Sequence, residues 1–246
     1  MARKLSKHFI PNLVAKVRTE NLKKACRKLS KLVVLTQEEK TSWKDTNNIE
    51  VIPNALSYYP EIIANGDAKS AIAVGRLVYE KGFDLLIEAW ADIYEKHPDW
   101  ELHIYCEGNE KDNLFRLIQK KQLDSVIKIH EPVKDIYKQY IKHSMFLFPS
   151  RYLEALPMVL VEAMSCGLPL VAFDSPCGPK DVIADGENGF LIKYGELKTF
   201  SEKINNLIDS EQLRKSMRAR AHEMSLNYNE EIIMKQWIKL FSDIKK

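Results

Sequence analysis

Short apolar runs rich in β-branched and aromatic residues alternate along the chain with longer stretches whose apolar positions recur at helical spacing. The runs at residues 32–36, 49–52, 71–75, 101–106, 126–130, 145–148, 170–173 and 190–192 predict strands. The stretches at 83–96, 113–121, 133–142 and 197–208 predict amphipathic helices. Runs such as Ala71-Ile72-Ala73-Val74 and Met145-Phe146-Leu147-Phe148 are apolar on both faces. A strand of that kind needs cover on both sides, as in a parallel sheet with helices above and below. The alternation therefore predicts an α/β fold with a doubly wound, Rossmann-like parallel sheet. No internal repeat is visible. Three helical stretches close the chain without further strands. The last, 229–246, carries Ile232, Ile233, Trp237, Leu240 and Phe241, an apolar stripe that should pack on something. The front end, 1–48, offers one helix, one strand and one short helix, too little for a core of its own. It reads as the tail of a preceding domain or as an extra edge on this one.

Composition narrows the class. Of 246 residues, 45% are hydrophobic and 29% charged, ordinary for a globular protein. No run reaches ~18 uncharged apolar residues, so no membrane-spanning helix is expected. The N-terminus has no apolar core of the signal-peptide kind, which points to a cytoplasmic protein. Cys26, Cys106, Cys166 and Cys177 are scattered without a CxxC pair, against a zinc ribbon or a disulfide scaffold. Charge is uneven. Residues 1–31 hold ten Lys or Arg against one acid, Glu20, whereas the whole chain sums to +3. Such a segment can lie on an anionic membrane surface, or it can be a solvated helix face. Few aromatics are interleaved with it, so no nucleic-acid partner is expected.

Three segments fall where an open α/β sheet binds ligands, beyond the carboxyl ends of its strands. Gly75-Arg76-Leu77-Val78-Tyr79-Glu80-Lys81-Gly82 joins a strand to a helix. Its two glycines permit a tight turn, and Arg76 with Lys81 can neutralise one diphosphate without a metal ion. A solvated loop with an Arg76–Glu80 pair is the alternative. In the second segment, Ser150 to Glu162, Pro157 suits the first turn of a helix. The free N–H groups of Met158 and Val159 would then face an anion. Glu162 lies one turn further on the same face, where a carboxylate could accept hydrogen bonds from two vicinal ribose hydroxyls. It could also be a plain first-turn acid favoured by the helix dipole. The third segment, Asp174 to Asp181, could wall the same pocket or be a Pro/Gly turn. Cys177 has no His nearby in sequence to activate it as a nucleophile. The six His do not cluster at metal-ligand spacing, so no metal and no cofactor are expected. GxGxxG, GxxxxGK[ST] and GxSxG are all absent.

Together these segments resemble the family 4 glycosyltransferases, from about Leu32 to the C-terminus. Val51-Ile52-Pro53-Asn54 is similar to the entry into that family's C-terminal domain. Gly75-Arg76 with Lys81-Gly82 resembles its diphosphate motif. Glu154 and Glu162 match its EX7E motif, flanked by Phe148-Pro149-Ser150 and by Glu162-Ala163-Met164-Ser165-Cys166-Gly167-Leu168-Pro169. The wording of the last segments resembles the branch that builds bacterial surface glycans. The resemblance implies the C-terminal, donor-binding half of a GT-B fold and a retaining transferase that needs no metal. Residues 1–48 would be the remnant of an N-terminal acceptor domain and linker. Residues 49–228 would be the nucleotide-sugar domain, and 229–246 a crossover helix whose stripe is partly bare, a solubility or dimerisation hazard.

By the same resemblance Gly75, Arg76 and Lys81 would hold the donor diphosphate, and Glu162 the ribose. Glu154, Ser150 and the backbone of Leu156, Pro157, Met158 and Val159 would meet sugar and phosphate. The loop from Glu131 to Val133 would meet the base, largely by backbone. Glu154, Arg76 and Lys81 would be the catalytic set, with both a nucleophilic and an orienting role open for Glu154. The implied partners are a nucleotide-sugar, UDP-linked, and a glycan or lipid-linked acceptor. The transferred group would be a hexosyl or N-acetylhexosaminyl unit. A non-catalytic nucleotide-sugar-binding module, or one subunit of a split enzyme, is the alternative. Two departures stand out: Ala155 replaces the usual Gly after the first Glu, and Cys106-Glu107-Gly108-Asn109 replaces a GxG-type turn.

Overall fold

A computed structural model describes residues 19–43, 46–152 and 154–245. Most of the basic front end, 1–18, and Leu153 lie outside the described residues. At the front, residues 19–26 are helical (α1), followed by β1 (Leu32–Val34), α2 (Gln37–Ser42) and β2 (Ile49–Val51). The main body then runs β3 (Ser70–Val74), α3 (Phe83–Lys96), β4 (Glu101–Tyr105), α4 (Lys111–Lys120), β5 (Ile127–His130) and α5 (Tyr137–Tyr140). It continues through β6 (Met145–Phe148), α6 (Met158–Ser165), β7 (Leu170–Asp174), α7 (Pro179–Val182) and β8 (Gly189–Lys193). Helices α8 (Leu197–Asp209), α9 (Glu211–Ser225) and α10 (Glu230–Ile244) end it. Among the described residues no helix is long and apolar enough to cross a membrane.

The main sheet has six strands in the order β5-β4-β3-β6-β7-β8, every pair parallel. The expected α/β, doubly wound architecture is what forms. Its cause is visible in β6, whose four residues are all buried. Met145 and Leu147 point into one core with α3, α4 and α8, while Phe146 and Phe148 point into the other with α5 and α6. Helix α3 closes the first core with Phe83, Leu86, Ile87, Trp90 and Ile93, one stripe at helical spacing. Trp90 is fully buried there, so its truncation to Ala is expected to cost ~3–5 kcal/mol.

Strand order reverses between β3 and β6. The chain builds β3, β4 and β5 outward, then returns to lay β6 against the other side of β3. The loops leaving β3 and β6 thus open side by side, and a crevice forms between them. Gly82 closes that crevice at its base. It sits at φ 69°, and a Cβ there would lie 2.1 Å from the carbonyl oxygen of Pro149. Only glycine allows these two loops to touch. Gly75, expected to serve the same purpose, does not need to be glycine on these grounds: an added Cβ would make ordinary contacts, the nearest at 3.4 Å.

Three expectations shift. The strand at 49–52, counted with the main sheet from its apolar residues, pairs instead with β1 in a separate two-stranded parallel sheet. The helix expected over 133–142 shrinks to Tyr137–Tyr140, because Val133 is exposed and the chain before it stays a loop. In α10, Ile233, Trp237 and Leu240 share a face and pack on Ile52, Val33 and Ala55. Ile232 and Phe241 lie off that face and remain exposed. The Asn229 side chain caps this helix by accepting from the Glu231 N–H at 2.9 Å.

Candidate functional site

The loop after β3 carries the two cations singled out in the sequence. Arg76 is exposed, and among the described residues its side chain has neither an ion-pair partner nor the expected alternative contact with Glu80. Lys81 turns the other way. Its ammonium contacts the Glu154 carboxylate, and both side chains are largely covered, 21% and 18% exposed. Ser150 Oγ donates to the same Glu154 oxygen at 2.7 Å and lies 3.3 Å from the Glu80 carbonyl. The loops after β3 and β6 therefore meet through side chains from both.

Helix α6 begins at Met158, with Pro157 at the N-cap position (φ −73°, ψ 93°), one residue earlier than expected. The Leu160 N–H donates to the Pro157 carbonyl at 2.9 Å, and the N–H groups of Met158 and Val159 ahead of it are those that a helix start leaves without an intrahelical acceptor. Leu156 and Pro157 are buried, and Ala155 is exposed beside Glu154. One turn into α6, the Glu162 carboxylate is half-buried and accepts a hydrogen bond from Tyr140 Oη at 3.1 Å. Burial raises its pKa, and the Tyr140 bond works in the opposite direction. Tyr140 is wholly buried between the Tyr137 and Phe146 rings, at centroid distances of 6.1 and 5.7 Å. Burial and the Glu162 charge hold its phenol well above the usual range.

A cavity of about 320 Å³ lies over the ends of β3, β4 and β5. Gly75, Arg76 and Val133 line it, with Tyr105, Cys106, Glu107 and Ile136, which sequence reasoning did not assign to the site. Glu131 stands apart: its side chain is exposed and pairs with Lys111. The Cys106-Glu107-Gly108-Asn109 turn docks on Leu77, whose N–H donates to the Glu107 carbonyl at 2.7 Å. Burial pushes the Cys106 thiol up to about 12, so it stays protonated.

The third segment walls the other side. The Glu154 N–H donates to the Pro176 carbonyl at 3.2 Å. Gly178, at φ 118°, lets the segment lie against Glu154 and Pro157, where a Cβ would come within 2.6 Å of both. Burial raises the Cys177 thiol pKa, and Glu38 raises it further. That environment disfavours the thiolate a nucleophile needs. Asp181 accepts from the N–H groups of Gln37 and Glu38, fastening α2 to this wall. Sequence reasoning also missed Tyr140, Asp84 and the role of Arg151. Among the described residues, no three His, Cys, Asp or Glu gather as a metal site would require.

The arrangement offers two cations and a helix N-terminus for an anion, and a half-buried acceptor carboxylate one turn away. A cavity lies on the far side of Arg76.

The family described as "Glycosyl transferases group 1" matches residues 59–224. The amylovoran biosynthesis glycosyltransferase AmsD of Erwinia amylovora is 36% identical over 218 residues, covering 84% of this chain and 60% of that protein. A poly(ribitol-phosphate) alpha-N-acetylglucosaminyltransferase of Staphylococcus aureus is 28% identical, over 87% of this chain and 44% of the relative. A crystal structure of a S. aureus TarM mutant in complex with Fondaparinux, alpha-GlcNAc-glycerol and UDP superposes with a TM-score of 0.82 at 27% identity. It covers 91% of this chain and 46% of that one. The chain thus spans under two thirds of the length of these relatives. Its parallel six-stranded sheet with flanking helices is the GT-B glycosyltransferase architecture. With the family matching well over half of its length, the chain belongs to the group 1 glycosyl transferases.

Proposed function

We propose that this chain is the donor-binding half of a retaining family 4 glycosyltransferase. It takes a hexosyl or N-acetylhexosaminyl unit from a UDP-sugar and passes it to a glycan or lipid-linked acceptor in surface polysaccharide synthesis. The observation that supports the reading best is that β3 and β6 lie side by side at one strand reversal, so the loop of Arg76 and Lys81 and the start of α6, with Glu162 one turn inside it, leave neighbouring strands. Arg76, Lys81 and the Met158 and Val159 N–H groups would hold the diphosphate and offset its charge as it leaves, with no metal needed. Glu162 would accept from the two ribose hydroxyls, held by Tyr140. The base would enter the cavity beside Val133, and Glu154 would face the sugar. UDP is supported by the TarM complex, and transfer to a polymer by the S. aureus relative, which is named for poly(ribitol-phosphate). The motif order from Gly75 to Glu162 supports family 4 and retention. In this reading 1–48 is the remnant of an acceptor domain and linker, 49–228 the donor domain and 229–246 the crossover helix. The basic residues of 1–31 would rest on the inner face of an anionic membrane.

Calorimetric titration of UDP without divalent metal, into wild type and Glu162→Ala, tests it. We expect wild type to bind and the variant to lose at least tenfold, about 1.4 kcal/mol. A folded wild type that binds no UDP refutes the donor-site reading. A second reading has its own support. Relatives of Limosilactobacillus reuteri and Streptococcus pneumoniae are named as GtfA subunits, and a GtfA/B complex shares the fold. One subunit of a split enzyme would bind UDP alone and transfer sugar only when its partner is added. Transfer by this chain alone excludes that reading.

A further inference from the structure

Arg151 is a charged residue whose side chain is only 5% exposed, and the proposed chemistry does not use it. A buried guanidinium persists only where its charge and donors are answered. Arg151 belongs to the loop after β6. Among the described residues its hydrogen-bond and ion-pair partners, Tyr79, Glu80 and Asp84, lie on the loop after β3 or in the first turn of α3. Its two terminal nitrogens grip both oxygens of Asp84 at 2.6 Å each. One of them also donates to the Tyr79 carbonyl at 2.8 Å, and the guanidinium lies 4.2 Å from the Tyr79 ring centroid. Its own N–H donates to the Glu80 carbonyl at 2.8 Å. The two-pronged grip on Asp84 is the strong, orientation-fixing form of an ion pair.

These contacts flank the proposed chemistry on both loops. Glu80 precedes Lys81, and Arg151 follows Ser150, which holds the Glu154 carboxylate. We propose that Arg151 and Asp84 are positioning residues: together they brace the loop bearing Lys81 against the loop bearing Glu154. The donor diphosphate then meets a cation whose place is already set. Asp84 answers the Arg151 charge, so the brace acts through Lys81 rather than by touching phosphate. Glu162 is held separately, by Tyr140 in the core on the opposite face of the sheet. The brace therefore governs the diphosphate end of the ligand and leaves the nucleoside end alone. The inference rests on the donor-site reading above.

Its test is a double-variant cycle with two ligands, UDP followed by calorimetry and uridine by ligand-observed NMR. The proteins are wild type, Arg151→Met, Arg151→Lys, Lys81→Ala and the Arg151→Met/Lys81→Ala double variant, each checked by thermal melting. Arg151→Met is expected to weaken UDP about tenfold and uridine less than twofold, with Arg151→Lys between wild type and Met. In the Lys81→Ala background the Arg151 change should cost nothing further, because its effect passes through Lys81. Equal losses for UDP and uridine, or additive losses in the double variant, overturn the brace. Should Arg151→Met fail to fold, Asp84→Asn keeps the side chain's size and carries the same expectations. A folded wild type that binds no UDP overturns the donor-site reading and the brace with it. Wild type that binds UDP, with variants that show no split, overturns the brace alone.

Discussion

In the free protein Lys81 is already neutralised from within, by Glu154. A diphosphate that needs this ammonium must share it with that carboxylate or displace it. Replacing Glu154 by Gln is therefore expected to tighten UDP binding, although the residue sits in the site. The magnitude lies between two limits. A unit-charge pair at 4 Å in a medium of effective dielectric ~20 is worth about 4 kcal/mol. Fully exposed pairs yield ~0.2–1 kcal/mol. Both side chains here retain about a fifth of their exposure, 21% and 18%, and a lysine can bridge carboxylate and phosphate at once. A gain of about 1 kcal/mol, roughly fivefold in Kd, is the expected outcome. Gln keeps the side chain's size and leaves a carbonyl to accept from Ser150 Oγ, so the loop should hold its shape. The assay is calorimetric titration of UDP at near-physiological salt, with a melting curve for each protein. Lys81→Met is the control, and it should weaken UDP. Unchanged or weaker UDP binding by a normally melting Glu154→Gln would refute the reasoning, since Lys81 would then not be shared between carboxylate and diphosphate.

Two further outcomes follow from buried polar contacts. Tyr140→Phe keeps the ring packing but removes the 3.1 Å bond to Glu162, so UDP should weaken about three- to tenfold while a 2′,3′-dideoxy analogue hardly changes. Equal losses for both ligands would show that Tyr140 does not act through the ribose site. His143 is buried, bonded through Nδ1 to Ser70 Oγ at 2.8 Å, faced by the His103 ring at 4.7 Å and near His130 and Lys142. Burial first, then these charges, pushes its pKa down from 6.5 to about 3. A base with a depressed folded pKa supports the fold above 6.5, and that support is lost as pH falls towards 3. By pH 4 the loss is of order 3 kcal/mol. Glu162, whose pKa is raised, has the opposite sign: it favours the fold as pH falls, and it loses acceptor strength for ribose as it protonates. Melting temperature followed from pH 7 to 4 should fall for wild type and fall less for His143→Asn. Parallel curves would remove His143 from the account.

What the sequence shows plainly is what burial dictates. The strands β3, β6 and β7 are apolar on both faces because helices cover both, so their runs stand out unaided. β2 is harder to place. Its Ile-Glu-Val buries one residue and exposes the next, and such a strand fits any edge that needs one apolar face. Nothing in its three residues says that β1 is its partner. Arg151 and Asp84 lie 67 residues apart, and Tyr140 and Glu162 lie 22 apart. Arg, Asp and Tyr are common residues, so neither pairing leaves a mark in composition or periodicity. They meet only because β6 returns to lie beside β3. The same reversal explains what the spacing of Glu154 and Glu162 conveys and what it leaves unsaid. Seven intervening residues place one carboxylate before the start of α6 and the other one turn inside it. That spacing cannot say that the first will face a lysine from another loop, or that the second will lie beneath a tyrosine from another helix. Those partners come from the strand order, β6 beside β3, whereas the apolar runs mark only which segments are strands. The chemistry of the site is thus set at one remove, by residues that never approach a ligand.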